Sequence, residues 1–429
     1  MLLALVCAAA LVPFFVTLND YIPILEKELS ARVGEPVSID NLQAALLPVP
    51  HARVEGISIG TAEDVQVGKV TLKPDLWSLL RSQKVIRSVE LEDVTLTQKS
   101  LGALAALSQG DRGAGSVRVG NVRLSNAVVK LERSKFGPFD VHVRVSGAGE
   151  QGLVTLKTRD NALEAKAIPD GEQYRIEISA RKWTPPMGPA FVFDQLEVKG
   201  VVRAEDADLP AITAKLYGGT ATGAVKLEWD KGIAIKGNLD LQAIEVTQPV
   251  AILSPNTRVS GRLDAKPAFS AHAASAEQLD DALKLESPFT VRDGVLHGFD
   301  IAAAAASLGK HTRGGETRFD RLSGKLAVER RSYRFTDLNI ASGALAARGN
   351  VAISPSKALS GQLSANATTL GKSVSIPLAV SGTLDSPMLL PNAAAIAGAV
   401  AGTAVLPGIG TAAGAKVGEV VNGLFGKKQ

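Results

Sequence analysis

The stretch "IRSVELEDVTL", Ile86 to Leu96, decides how the rest of the chain is read. Its apolar residues Ile86, Val89 and Leu91 are followed by Val94. The template returns 33 positions on as Val119, Val122, Leu124 and Ala127 in "VGNVRLSNA", and 107 positions on as Phe193, Leu196, Val198 and Val201 in "FDQLEVKGV". Looser copies stand at Val54, Ile57 and Ile59, and at Phe335, Leu338 and Ile340. Successive side chains of a strand point to opposite faces. Val89 and Leu91 therefore share one face and Glu90 and Glu92 the other, the pattern of a half-buried antiparallel strand. The two-residue gap before each pair predicts a tight turn or bulge.

The 429 residues, 45% of them hydrophobic, suffice for two or three ordinary domains or one extended repetitive one. Forty-one glycines, 21 prolines and only 4% aromatics favour the second, with many short strands joined by turns. A net charge of +4 with no polybasic run argues against nucleic acid as a partner. Cys7 is the sole cysteine, so no internal disulfide and no multi-cysteine metal site can form. Val6 stands where bacterial lipoprotein processing wants a small residue, so Cys7 reads as a small hydrophobe.

Residues Met1 to Leu18 carry no charged side chain. They are long enough for a hydrocarbon core that needs about 17 to 25 helical residues. The expectation is an uncleaved transmembrane anchor over 1–19, with Leu2, Leu5, Leu11, Phe14, Phe15 and Leu18 meeting lipid. The competing reading, a signal peptide cut near Ala8–Ala10, leaves too short an apolar run before the site and more apolar chain after it. A linker helix over 20–36 follows, with Leu25 and Leu29 on one face and an end near Gly34 and Pro36. Strand-like runs dominate 37–270 and 271–390. Short helices are expected at Pro74–Gln83, at Ser100–Gln109, in "SAEQLDDALKL" and in "DIAAAAASLGK". From 391 to 429 the chain turns Ala- and Gly-rich, with Gly398 and Gly402 in close-packing spacing. Two readings of that segment stand, a docking helix pair and membrane contact.

No catalytic, cofactor or metal site is expected. Gly371, Lys372 and Ser373 end "NATTLGKS" like a phosphate loop, but Asn366 replaces its first glycine and no helix pattern follows. "GIGTAAG" has the wrong spacing for a dinucleotide fingerprint. Ser307 with Lys310 and Ser354 with Lys357 lack the companion motifs of penicillin-recognising enzymes. The histidines, His51, His142, His272, His297 and His311, never fall in metal-ligand spacing.

In order along the chain, the anchor with "EKELSARVGEPVSIDNL", "LYGGTATGAVKLEW", "VRDGVLHGFDI", "GGETRFDRLSGKL", "RFTDLNIASGALAARGNVAIS" and "IPLAVSGTLDSPMLLPN" resemble the AsmA family of bacterial envelope proteins. The family's usual basic residue before the anchor is missing here. The resemblance implies an inner-membrane anchor with the bulk of the chain periplasmic, and a long curled sheet similar to that of bridge-like lipid-transfer proteins. It also implies a link to outer-membrane integrity and phospholipid traffic.

The residues supply a separate reason for such a role. On the order of 25 one-face-apolar strands stacked about 4.8 Å apart make some 120 Å of sheet, which four or five short helices cannot cover. The oily face must close on itself, meet another sheet or hold something greasy. The fold expected is thus mainly β, one long curled antiparallel sheet forming an apolar groove. Val89, Leu91, Val122, Leu124, Leu196 and Val198 are expected to face that groove, and Glu90, Glu92, Arg123, Glu197 and Lys199 to face water. The expected partners are phospholipid acyl chains, with envelope proteins at the outer membrane beside them. The alternative is a non-catalytic scaffold for outer-membrane protein or envelope assembly, its apolar faces closed into sandwiches.

Overall fold

The computed structural model describes residues 18–45, 49–61, 64–75, 77–78, 84–97, 100, 117–130, 135–145, 152–186, 188–255, 257–275, 278–306, 314–343, 345–369 and 372–391. The chain is mainly β, with 22 strands and few, short helices among these residues. It divides into two compact units, Met1–Ala204 and Glu205–Gln429. Among the described residues no helix is long and apolar enough to cross a membrane. Of the expected anchor residues, Leu2, Leu5, Leu11, Phe14 and Phe15 lie outside the described residues, as does the Ala/Gly-rich segment beyond Pro391.

The first unit carries α1 (Ile22–Val33), β1 (Val37–Ala45), β2 (His51–Ile59), β3 (Val65–Pro74), β4 (Lys84–Thr97) and β5 (Val117–Lys130). It continues with β6 (Lys135–Arg144), β7 (Leu153–Thr158), β8 (Leu163–Asp170), β9 (Gln173–Trp183) and β10 (Phe193–Val202). Each strand pairs with the next along the chain, antiparallel in every case but one. The exception corrects the all-antiparallel expectation: β4 and β5 run parallel, with Ile86 opposite Val119, Val89 opposite Val122 and Leu91 opposite Leu124. The 33-residue repeat is thus the register of this pair. Two copies of one template match residue for residue only when they run the same way. The chain between Thr97 and Val117 is long enough for the crossover a parallel pair requires.

The gap expected to turn or bulge, the one before the pair, shows in β4 only a register shift against β3 between Ile86 and Ser88 and no left-handed residue. The left-handed residues of β4 and β5 come after the pair: Asp93 and Asn126 have φ of 56° and 57°, and Gly56 of β2 has 65°. They lie on a line across the sheet that starts at Asp40 in β1 and passes Gly56, Gly68, Asp93 and Asn126 to Asp140 in β6. Side chains on the line clasp one another: Asn126 Nδ2 donates to Asp93 Oδ1 (2.5 Å), and the Asn126 N–H donates to Asp140 Oδ1 (2.9 Å). A Cβ on Gly56 would stand 1.9 Å from Asp40 Oδ2, so this position on the line has room only for glycine. Residues three apart on a regular strand face opposite ways. The kink lets Leu91 and Val94, and likewise Leu124 and Ala127, pack against one core. The copy at Phe193 lacks this device, since no residue of β10 has a positive φ and its register with β9 is unbroken. Val201 therefore shares the face of Glu197 and Lys199.

On one side of this crease the sheet has a dry core, with Val65, Val67, Val94, Leu96, Ala127, Val129 and Phe139 all buried. At its outer edge α1 seals β1. The N–H groups of Val37, Ile39 and Leu42 donate to Ser30 Oγ (2.9 Å), Glu26 Oε1 (2.8 Å) and Asn19 Oδ1 (2.9 Å). These bonds occupy groups that an edge strand otherwise offers to any passing strand. The helix stops at Gly34, whose φ of 77° forms the left-handed C-cap.

The second unit carries β11 (Asp206–Leu216), β12 (Gly219–Glu228), β13 (Ile233–Glu245), α2 (Thr247–Leu253), β14 (Val259–Ala265) and β15 (Ala268–Ala273). Next come α3 (Leu279–Ala282), β16 (Lys284–His297), α4 (Ile301–Ala306) and β17 (Glu316–Glu329). The last strands are β18 (Ser332–Ser342), β19 (Leu345–Ile353), β20 (Leu359–Thr369), β21 (Lys372–Thr383) and β22 (Ser386–Pro391). Pairing is antiparallel throughout. β14 and β15 lie end to end between β13 and β16, one strand position broken next to Pro267, which has no N–H for the ladder.

Of the expected helices, "DIAAAAASLGK" forms α4, and "SAEQLDDALKL" yields only the single turn α3, because Lys284 already opens β16. Pro74 ends β3 and Trp77–Ser78 make a 3-10 turn, which corrects the helix expected over 74–83 for those residues. The helix expected over 100–109 lies outside the described residues apart from Ser100.

α4 has a topological consequence. Six helical residues span about 9 Å. Yet α4 packs on β17, β20, β21 and β22, whose outermost members would lie about 24 Å apart in a flat sheet. The strands therefore wrap around it. A Cβ on Gly298, just past β16, would lie 3.7 Å from Cγ of Pro387 in β22. Ile301, Ala304 and Ala305 are buried in the resulting core with Leu363, Leu378, Val380 and Leu389.

Candidate lipid-facing surface

Beyond the crease, register places aliphatic side chains opposite one another on every strand of the first unit. One row runs Leu42, Val54, Val70, Leu91, Leu124, Val141, Leu156, Ala165, Ile178, Val198. A second, two residues further along each strand, passes through Leu72, Val89, Val122, Val143, Val154 and Ile176 and ends at Gly200. Ten strands at about 4.8 Å make such a row about 43 Å long. Leu42 and Val198 are buried, the other members of the first row are half-buried, and every named member of the second is half-buried.

The six residues singled out from the sequence fall on this surface. Leu91, Leu124 and Val198 lie in the first row and Val89 and Val122 in the second. Leu196 lies one row nearer the crease side, opposite Ala180, which in turn faces Leu163. Sequence reading missed the members from Val54, Val70, Val141, Leu156 and Ile178, whose strands do not repeat the template as confidently spaced copies. It also missed the crease residues, because a Gly, Asp or Asn after the aliphatic pair is not a sufficient signal: Gly200 of β10 has that place without the bend.

The opposite face is polar in equal register: Arg53, Thr71, Glu90, Arg123, His142, Thr155, Lys166, Glu177 and Lys199 follow one another across the strands. Lys73 and Lys69 Nζ pair with Glu90 and Glu92, both at 2.7 Å. At Glu164, slight desolvation works to raise the carboxyl pKa. Hydrogen bonds and charge from Lys166 and Lys157, each 3.4 Å away, outweigh it and hold the pKa below the ordinary value.

The second unit repeats the sidedness over its first strands. Leu209, Val225, Gly237, Phe269 and Leu285 form a half-buried row that reaches the buried Val328. A cleft of about 710 Å³ in this unit belongs to the other face. Its Lys226, Lys236, Ser270, Lys284 and Glu329 are register partners in one polar row. There a hydrogen bond and the charge of Glu228, 3.0 Å away, raise the pKa of Lys226.

The partial catalytic motifs do not assemble. Ser354 and Lys357 belong to the turn between β19 and β20, where Ser354 Oγ accepts from the Ala358 N–H (3.1 Å). Asn366 lies in β20 and Lys372 opens β21, so the "NATTLGKS" string is a hairpin rather than a loop leading into a helix. Gly371, Ser307 and Lys310 lie outside the described residues. Among the described residues no cluster of three or more His, Cys, Asp or Glu could hold a metal ion. Fold and site together define a protein built on sheets with one aliphatic and one charged face. No protein-family model, curated protein or solved structure matches the chain.

Proposed function

We propose that this is an AsmA-like lipid-handling protein of the bacterial inner membrane, anchored by its N-terminal apolar stretch, with its bulk in the periplasm. Its aliphatic rows carry phospholipid acyl chains toward the outer membrane. The observation that supports this most directly is the pair of aliphatic rows in the first unit, half-buried from β3 to β9. Apolar surface gains about 25 cal/mol per Å² when covered, and each buried methylene about 0.8 kcal/mol. A row of about 43 Å is close to three times the ~15 Å thickness of one leaflet's hydrocarbon. A chain therefore has many equivalent positions along it. Each contact contributes only about 0.1–0.2 kcal/mol, so no single position traps the guest. No catalytic residue and no cofactor enter this reading.

Gentle purification of the full chain followed by lipid mass spectrometry tests it, together with a photo-crosslinking amino acid at Leu124. The expected result is co-purifying phospholipid and crosslinks from position 124 to lipid. Crosslinks from 124 to protein, with no phospholipid retained, would overturn it in favour of the envelope scaffold.

A further inference from the structure

α1 turns polar side chains toward the sheet: Glu26 and Ser30 of the helix, with Asn19 of the 3-10 turn just before it, lie in line and face β1 beside the half-buried Ile22 and Val33. Its larger apolar residues point away, beside the exposed Glu28: Ile24 is 65% exposed, Leu25 36% and Leu29 38%, and Tyr21 in the turn before the helix is 58% exposed. A surface helix ordinarily buries its apolar stripe and shows its polar one to water. Here the polar groups are committed to the N–H groups of β1, so rotating the helix to hide Ile24 would break three hydrogen bonds.

Where the helix begins indicates what covers the exposed stripe. The charge-free stretch Met1–Leu18 ends one residue before Asn19. Leu18 is itself tied to β1, its N–H donating to the Leu42 carbonyl at 2.9 Å. If that stretch lies in hydrocarbon, the first turn of the helix stands within one helical turn, about 5 Å, of the boundary. Tyr21, apolar in its ring and polar at its tip, suits that boundary.

We propose that α1 is an interfacial helix. Its outer stripe of Tyr21, Ile24, Leu25 and Leu29 rests in the headgroup region of the same bilayer that the N-terminal stretch enters, while its inner stripe holds the open edge of β1. The helix thereby sets the first strand against the membrane surface. This inference rests on the membrane-anchored reading above.

The full chain tests it, with Cys7 replaced by serine and an environment-sensitive fluorophore on Ile24→Cys or, as control, on the exposed Thr222→Cys of β12. Each is reconstituted with vesicles of phosphatidylethanolamine and phosphatidylglycerol. The expected result is co-flotation of both. The label at position 24 should be blue-shifted and lose most of its emission to a nitroxide on the lipid headgroup, and the label at 222 should do neither. Co-flotation with the two labels alike in water overturns the interfacial helix and leaves the anchor standing. Failure to float overturns both. A crosslink between position-24 labels of two chains would assign the stripe to a second copy instead.

Discussion

The ten strands of the first unit and the strands that close on α4 are built from the same alternation, yet one apolar face stays half-open and the other is dry. Leu124 and its row neighbours lie half-buried across β2 to β9. Leu378 and Leu389, equally aliphatic and equally regular in register, are 1% and 2% exposed because α4 fills the space between the wrapped strands. Small residues make this possible: Ala304, Ala347 and Ala365 have no exposed surface at all, so helix and strands approach closely. Alternation alone therefore does not distinguish a core from a groove. A covering element does.

That contrast is open to attack by mutation, and the largest effect belongs to the dry side. Leu378→Ala should cost the second unit about 4 kcal/mol, as full burial under a helix implies. Leu124→Ala should cost the first about 1 kcal/mol, because its side chain is already partly in contact with solvent. Denaturant titrations followed by circular dichroism check both, and equal losses would remove the distinction between the two faces.

The open side should show the reverse ranking in lipid retention. Leu91→Asp with Leu124→Asp places two charges in adjacent positions of one row. Phospholipid per chain should fall to background by mass spectrometry while the far-ultraviolet dichroism is kept. Retention of lipid by this variant would mean that the guest lies elsewhere.

The crease is the next target, since it brings the half-buried row of Leu91 and Leu124 against the dry core of the first unit. Gly56→Val puts a branched side chain at a φ of 65° against Asp40, and should cost about 2 kcal/mol, read as a lowered denaturation midpoint. Asn126→Gly should cost less, about 1 kcal/mol in the same titration, because glycine adopts the left-handed conformation freely and only the exposed hydrogen bond to Asp93 is lost. Equal costs for the two would show that the bend is not held at these residues.

The smallest effect is electrostatic. Glu164 has a depressed pKa in the folded state, so its contribution is present above the unfolded value and is lost as the pH falls through the folded one. The difference in thermal midpoint between the native chain and Glu164→Gln should be small at neutral pH, because the site is open to solvent. It should vanish in acid. A difference that grows as the pH drops would contradict the assigned direction.

What could be read from residue order alone was everything with a short period. Alternation in "VELED" told which side chains share a face, the recurrence of the template told that two strands are equivalent, and the low aromatic content argued against large cores. The identity of the true copies was less legible: the match at Phe193 has the spacing without the bend, whereas the looser matches at Val54 and Phe335 carry left-handed Gly56 and Asp337. The residue in the gap does not distinguish them, since Gly200 of the Phe193 copy stands where Asp93 and Asn126 bend and, though a glycine, keeps a strand conformation. The parallel course of β4 and β5, the line of clasped bends, the polar side chains that α1 turns to the sheet and the burial of the last strands around α4 were settled only in three dimensions. Each depends on contacts between residues far apart in the chain. The free energy of such contacts comes from what lies opposite a side chain, and a strand's own alternation carries no record of that.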